Sequence, residues 1–225
     1  MFKAIFFNPL HNTLVFLSSQ MPGADLGLAI IALTIIVKLI LLPFYHQSLV
    51  TQIKLKKIDP LIKKIKAESG GDKTKETLKL LEIYKEHKIR PLMGILVMIV
   101  QLPIIIALFY VFKDSVSLQG ANHIFLNTID VTSRSIIAAL LTGFTQFIQI
   151  KLSLPALPEV DNSKERSMKD DFTRSMHFQM KYFMPVVITV VAAGLPAALS
   201  LYWITSNVFG IAYELLVRRR LLKTA

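Results

Sequence analysis

The sequence predicts an all-α polytopic membrane protein with five transmembrane helices, a cytoplasmic helical hairpin and an N-terminal interfacial helix. Three observations predict it. The 225-residue chain is 53% hydrophobic, more apolar residue than one soluble core of this size can hide. Those residues gather in long runs close to the ~20 that a bilayer crossing needs, which weighs against the alternative of soluble core helices. Most of the 26 Lys and Arg fall between the runs, for a formal charge of +11. The chain has no cysteine, which excludes disulfides, a thiol nucleophile and zinc-thiolate sites.

The first segment, 1–25, has an apolar patch at Ala4 to Phe7, broken by Asn8 and Pro9. It is too interrupted to span, and it lacks the continuous apolar region and small-residue cleavage site of a signal peptide, so an interfacial amphipathic helix is expected. Pro22 and Gly23 turn the chain into a core region, 26–220, whose apolar spans are about 26–44, 92–112, 135–150, 182–195 and 197–217. The last two follow from length. From Tyr182 to Val217 the sole charge is Glu214, and one helix of that length would measure about 54 Å against a core of about 30 Å. Gly194 and Pro196 supply the fold-back, leaving a short first arm.

Orientation follows from charge. Of the basic residues, 22 fall in three segments that the span count places on one side: the hairpin 46–90, the loop 151–181 and the C-terminal end, including the basic tail 218–225. The positive-inside rule makes these cytoplasmic, with the N-terminus outside and the C-terminus inside. The segment 46–90 holds 12 Lys or Arg and six Asp or Glu. Leu49, Ile53, Ile58, Leu61, Ile62 and Ile65, then Leu78, Leu81 and Tyr84, recur at near-helical spacing on either side of Ser69-Gly70-Gly71, which predicts two helical arms and argues against a merely solubilising loop. Pro60 is expected to kink the first arm. Interleaved acid and the want of exposed aromatics argue against DNA or other nucleic acid as the hairpin's ligand.

No metalloprotease, serine-hydrolase or P-loop motif is present and the five histidines are scattered, so neither a cofactor nor enzymatic activity is expected. What lies at membrane depth is polar. Lys38 stands alone in the first apolar run, where a lysine in hydrocarbon costs about 3 kcal/mol on insertion scales. Snorkelling is strained, because it lies on the order of 10 Å from the inner interface. Thr34 shares its helix face. Gln101 on the second span, Thr142, Thr145, Gln146 and Gln149 on the third, and Thr205, Ser206 and Asn207 on the fifth complete the set. Taken singly, each Gln, Ser, Thr or Asn reads as an interhelical hydrogen bond; together they suggest a wet cavity centred on Lys38.

These residues carry a resemblance. The run 28–43, with Thr34 and Lys38 before Pro43, is followed by Ile83-Tyr-Lys-Glu-His87, Pro91-Leu-Met-Gly94 and Gln101-Leu-Pro-Ile-Ile-Ile-Ala-Leu-Phe109. After them come Met180-Lys-Tyr-Phe-Met-Pro185 and Leu201-Tyr-Trp-Ile-Thr-Ser-Asn207. The pattern resembles the YidC/Oxa/Alb membrane protein insertases over nearly the whole chain, in the minimal form without the large extracytoplasmic domain of some bacterial members.

The resemblance implies a five-helix core in the bacterial cell (inner) membrane, with a positively charged groove open to cytoplasm and lipid. It implies an insertase and chaperone for nascent membrane proteins, with the lipid bilayer, the ribosome and the Sec translocon as further partners. The resemblance places Lys38, Thr34, Tyr202 and Trp203 in the groove, and the polar set at membrane depth adds Gln101, Gln146, Gln149 and Asn207 as candidate groove residues. The family's groove cation is usually arginine, so lysine here keeps the attraction for an acidic peptide but loses the planar fork. Lys88 and Arg90 stand where Gly and Asn are common, which predicts a less sharply defined turn at the hairpin's end. A small transporter or channel subunit is the alternative reading.

Overall fold

The computed structural model describes residues 1–70, 72–90, 93–113, 120–154, 175–176 and 178–223, with backbone alone at 63, 66, 67, 93–98 and 221–223. The chain divides into two compact units, Met1–Ile40 with Leu102–Ala225, and Leu41–Gln101. Both are built of helices.

The larger unit opens with a π-helical turn, Lys3–Phe7, closed by the Asn8 N–H donating to the Lys3 carbonyl. It leads directly into α1, Asn8–Gln20. The helix runs on through Asn8 and Pro9, where the apolar patch ends. Pro9 falls in the first turn of α1, where its missing donor is harmless, and the wider turn ahead of it takes up the ring. A second such turn, Gln179–Phe183, stands in the same relation to Pro185. Leu14 is fully buried where α1 packs on α2, Leu26–Ile40. Between them, Gly23 takes φ +65°, a left-handed conformation open to glycine at little cost.

In α2 the residues Leu26, Ala29, Ile30 and Leu33 are buried, at the spacing that lines one helix face. The helix ends at Ile40, not at the predicted 44. Pro43 lacks an N–H and its ring would strike the carbonyl four residues back, so the chain restarts as a new helix with the proline in its first turn. The 15 residues of α2 give it a length of about 22 Å, short of a 30 Å core. Further along, α5, Met93–Lys113, runs through Pro103 and buries Ile104, Ala107, Leu108 and Val111. The predicted start of this span, Leu92, lies outside the described residues.

A feature the sequence did not announce follows: an antiparallel β1, Ile124–Phe125, and β2, Ile129–Asp130, with Phe125 opposite Ile129. Two-residue strands are too short to show alternation. The hairpin is tied to the start of α2 by three bonds: Leu26 N–H to Asn122 O (2.9 Å), Asn122 N–H to Ala24 O (2.9 Å) and Leu126 N–H to the Asp25 carboxylate (2.9 Å). The Phe125 ring rests on Gly27, where a Cβ would overlap it.

The unit closes with α6, Ile136–Ser153, α7, Met184–Gly194, and α8, Ala197–Lys223. The break between α7 and α8 falls where Gly194 and Pro196 predicted it. Helix α8 continues through Arg218, Arg219 and Arg220, the basic residues of the expected tail 218–225, to Lys223. Most of the predicted loop 151–181 lies outside the described residues. Helix α6 packs on both α7 and α8, and α8 also packs on α2.

These helices are small inside and large outside. In α6 the buried face is Ala138, Ala139, Thr142 and Gly143, while Ile137, Leu140 and Phe144 are 68%, 60% and 61% exposed. Facing α7, a Cβ on Gly143 would collide with the Thr189 hydroxyl. Val186 and Val190 of α7, and Val208 and Leu216 of α8, are likewise exposed. Small residues permit close helix approach in lipid, and an apolar surface of this extent is a liability in water. Among the described residues α6 is the one helix that reaches crossing length and apolarity unaided, and the apolar stretch Gln179–Gly194 is shorter.

The smaller unit is the expected helical hairpin, α3, Leu42–Glu68, against α4, Lys73–Glu86. Leu49, Ile58 and Ile65 are buried, whereas Leu61, Leu78 and Leu81 remain 44%, 59% and 49% exposed. Helix α3 continues through Pro60. Asp72 caps α4 by accepting from the Thr74 and Lys75 amides. The end of α4 corrects an expectation. Lys88 takes φ +50°, its N–H bonds Lys85 O (3.1 Å) and the Ile89 N–H bonds Tyr84 O (2.8 Å). That pair of bonds is a Schellman closure, so the turn is sharply defined although it has no glycine. Burial of Ile89 and the Lys54 ammonium on the His87 carbonyl (3.0 Å) hold the strained residue in place.

Candidate functional site

Lys38 sits in the last turn of α2, half-buried, and among the described residues it makes no hydrogen bond or ion pair. Its neighbour one turn back, Thr34, is buried and donates to the Ile30 carbonyl at 2.7 Å. That hydroxyl is committed to its own helix.

The polar residues of α6 and α8 divide into two groups. Thr142 is fully buried and donates to Ala138 O (2.9 Å) and, across the interface, to Ser200 O (3.3 Å). The Asn207 amide donates to the Thr145 hydroxyl at 3.1 Å. Such bonds join helices in lipid and contribute about 0.6 kcal/mol each. Tyr202 and Asn207 are buried, 1% and 4% exposed, and serve packing. Gln146, Gln149 and Trp203 are half-buried and so offer partly open polar or aromatic surface. Gln101, also half-buried, belongs to the other unit.

Sequence reasoning missed how α6 and α8 are locked at their far ends. Glu214 is fully buried. It accepts from the Ser153 hydroxyl (2.6 Å) and from Arg218 Nε (2.9 Å) and Nη2 (2.6 Å), while Arg218 also donates to Leu152 O (2.6 Å). The signal was present as Glu and Arg four apart at the end of an apolar run; the partner Ser153, 61 residues away, was not visible. Among the described residues no group of three His, Asp or Glu is gathered to hold a metal.

The helix order, the lone lysine of α2 and the polar seam of α6 and α8 can now be set beside known proteins. The sequence model of the 60Kd inner membrane protein family matches residues 16–224. The chain belongs to the 60Kd inner membrane protein family. Within that family it is similar to the membrane protein insertase YidC of Wolinella succinogenes, 32% identical over 196 residues, which are 87% of this chain and 34% of the relative. It is equally similar to the membrane protein insertase YidC of Francisella tularensis subsp. novicida, 33% identical over 195 residues, 86% of this chain and 32% of the relative. The chain thus spans about a third of the length of the curated relatives it matches.

Proposed function

We propose that the chain is a membrane protein insertase and chaperone that receives nascent integral membrane proteins in a hydrophilic, positively charged groove. The observation that carries this reading is Lys38: a half-buried ammonium on an apolar helix, with no acidic partner among the described residues. Membership of the inner membrane protein family and the printed names of the relatives support it.

In this reading α2, α5, α6, α7 and α8 cross the membrane, with the N-terminus outside and the basic segments 46–90, 151–181 and 218–225 in the cytoplasm. An acidic or polar tail of a nascent chain is held by Lys38, with Gln146, Gln149 and Trp203 as partly open neighbours and Thr34, Tyr202 and Asn207 as the packed wall behind. Fixed dipoles and charge replace part of the lost water and lower the barrier to crossing. The short α2 and α7 thin the bilayer around them. The substrate's apolar segment then slides along the large exposed side chains of α6 and α8 into lipid, drawn by apolar transfer and by the membrane potential acting on acidic residues. The hairpin α3–α4 receives substrate, and the ribosome and Sec translocon are the partners that deliver it.

The test is insertion of a labelled single-span substrate with an acidic tail into vesicles holding the purified protein. Lys38→Ala slows insertion about tenfold, the equivalent of about 1.4 kcal/mol, and Lys38→Arg restores it. Equal rates for wild type and Lys38→Ala defeat the groove cation. Solute flux in the same vesicles without nascent chains favours a channel instead.

A further inference from the structure

The smaller unit holds an open pocket of about 390 Å³ lined by His46, Gln47, Val50, Thr51, Lys88 and Arg90. Four of these stand on one face of the first turns of α3, at spacings of one, four and five residues. The other two come from the segment that closes α4. None of the lining residues is acidic, and two, Lys88 and Arg90, are basic. Gln47 and Thr51 add neutral donors, His46 adds an imidazole, and Val50 supplies one apolar wall.

The backbone beside Lys88 is fixed. Lys88 is held at φ +50° by the Schellman closure, Ile89 is buried beside it, and the Lys54 ammonium fastens the His87 carbonyl to α3. Ammonium, guanidinium, hydroxyl and amide donors around one concavity match a phosphate group, and a volume of about 390 Å³ leaves room for the ester attached to it. In chain order the pocket stands where the hairpin joins the apolar helices: His46 follows the end of α2 by six residues and Arg90 precedes α5 by three. If those helices cross the bilayer, both ends lie at headgroup depth.

We infer that this pocket binds the phosphate of an anionic phospholipid headgroup, with Val50 against the glycerol and the start of the acyl chains. The inference rests on the proposed membrane orientation of the hairpin. A soluble phosphate shares the chemistry, but lining residues six after α2 and three before α5 in the chain favour a phosphate delivered by lipid. RNA is disfavoured because no aromatic lines the pocket for base stacking.

The experiment is native mass spectrometry of the purified full chain released from micelles containing phosphatidylglycerol or phosphatidylcholine. Wild type retains phosphatidylglycerol; the double variant Lys88→Gln/Arg90→Gln retains it about tenfold less, as loss of charge-assisted hydrogen bonds dictates, while phosphatidylcholine adducts stay equal. Arg90→Gln alone, at an exposed position, gives a smaller loss in the same direction and guards against misfolding of the turn. Equal phosphatidylglycerol retention by wild type and both variants overturns the inference. Retention of inorganic phosphate with no phosphatidylglycerol adduct, or displacement of the lipid by a short RNA, reassigns the pocket and also overturns it. The underlying orientation is read separately. Because the chain has no cysteine, a single bimane placed by Gln52→Cys reports headgroup depth through quenching by brominated lipid. A label remote from headgroups defeats the orientation; a label at headgroup depth with unchanged adducts defeats the pocket alone.

Discussion

Lys88 occupies a backbone conformation that disfavours every residue with a Cβ, by about 1 kcal/mol or more, and neighbouring bonds hold it there. Replacing it by glycine, which the same conformation suits, stabilises the hairpin by about 1 kcal/mol. Hydrogen exchange at the Ile89 amide in zwitterionic detergent measures the gain as slower exchange. Glu214 presents the opposite case. Its carboxylate is fully buried and satisfied by Ser153 and Arg218. Glu214→Ala leaves Arg218 facing a cavity, and since that side chain is 30% exposed it recovers some water, so the loss is about 2 kcal/mol against the 3–5 kcal/mol of fully buried pairs. Glu214→Gln, which keeps an acceptor, loses less. Thermal unfolding in detergent ranks the three proteins.

The β1–β2 hairpin shows how a short element is held by charge. Asp130 accepts from the Thr132 hydroxyl (2.6 Å), the Ser133 hydroxyl (2.7 Å) and the Thr132 amide (2.9 Å). The Thr132 hydroxyl bond is the main cause that lowers the Asp130 pKa below its ordinary value of 3.8. A carboxylate depressed in the folded state contributes stability that is complete above the unfolded value and is lost as pH falls through the folded one. The protection factors of the β2 and Val131 amides, which correct exchange rates for their intrinsic pH dependence, therefore fall as pH drops below about 4. Asp130→Asn removes that dependence. The group is exposed, so the effect is confined to this element and does not melt the helices. Element ends follow the same local logic: Pro43 ends α2 early, and Gly194 and Pro196 end α7 where a reading of the sequence places the break.

At the scale of the molecule, the division into a helical hairpin unit and a larger unit predicts separable roles. Deleting 52–88 reduces substrate insertion several-fold while the thermal transition of the remaining helices stays in place, because α2, α6 and α8 belong to the larger unit. Collapse of the shortened protein in size-exclusion chromatography makes the hairpin structural instead. The distribution of side chains on α6 also fits a molecule whose solvent is lipid: Ala138, Ala139, Thr142 and Gly143 occupy its contacts, and Ile137, Leu140 and Phe144 are turned outward. Membership of the inner membrane protein family accords with that distribution.

The helical class, the apolar stretches that became α2, α5, α6, α7 and α8, the two arms of the hairpin and the conspicuous isolation of Lys38 were all legible in the order of residues. Periodicity, proline and glycine positions and charge act within a few residues of themselves, so the sequence alone carries them. What required tertiary structure acts across long separations. Asn207 meets Thr145, Glu214 meets Ser153, and Asp25 reaches the Leu126 amide 101 residues away. A polar residue on an apolar helix can face a cavity or a neighbour, and its own surroundings in sequence are the same in either case. Folding turned Asn207 and Tyr202 inward and left Gln146 and Gln149 partly open, because which face a helix buries is decided by the helices it packs against.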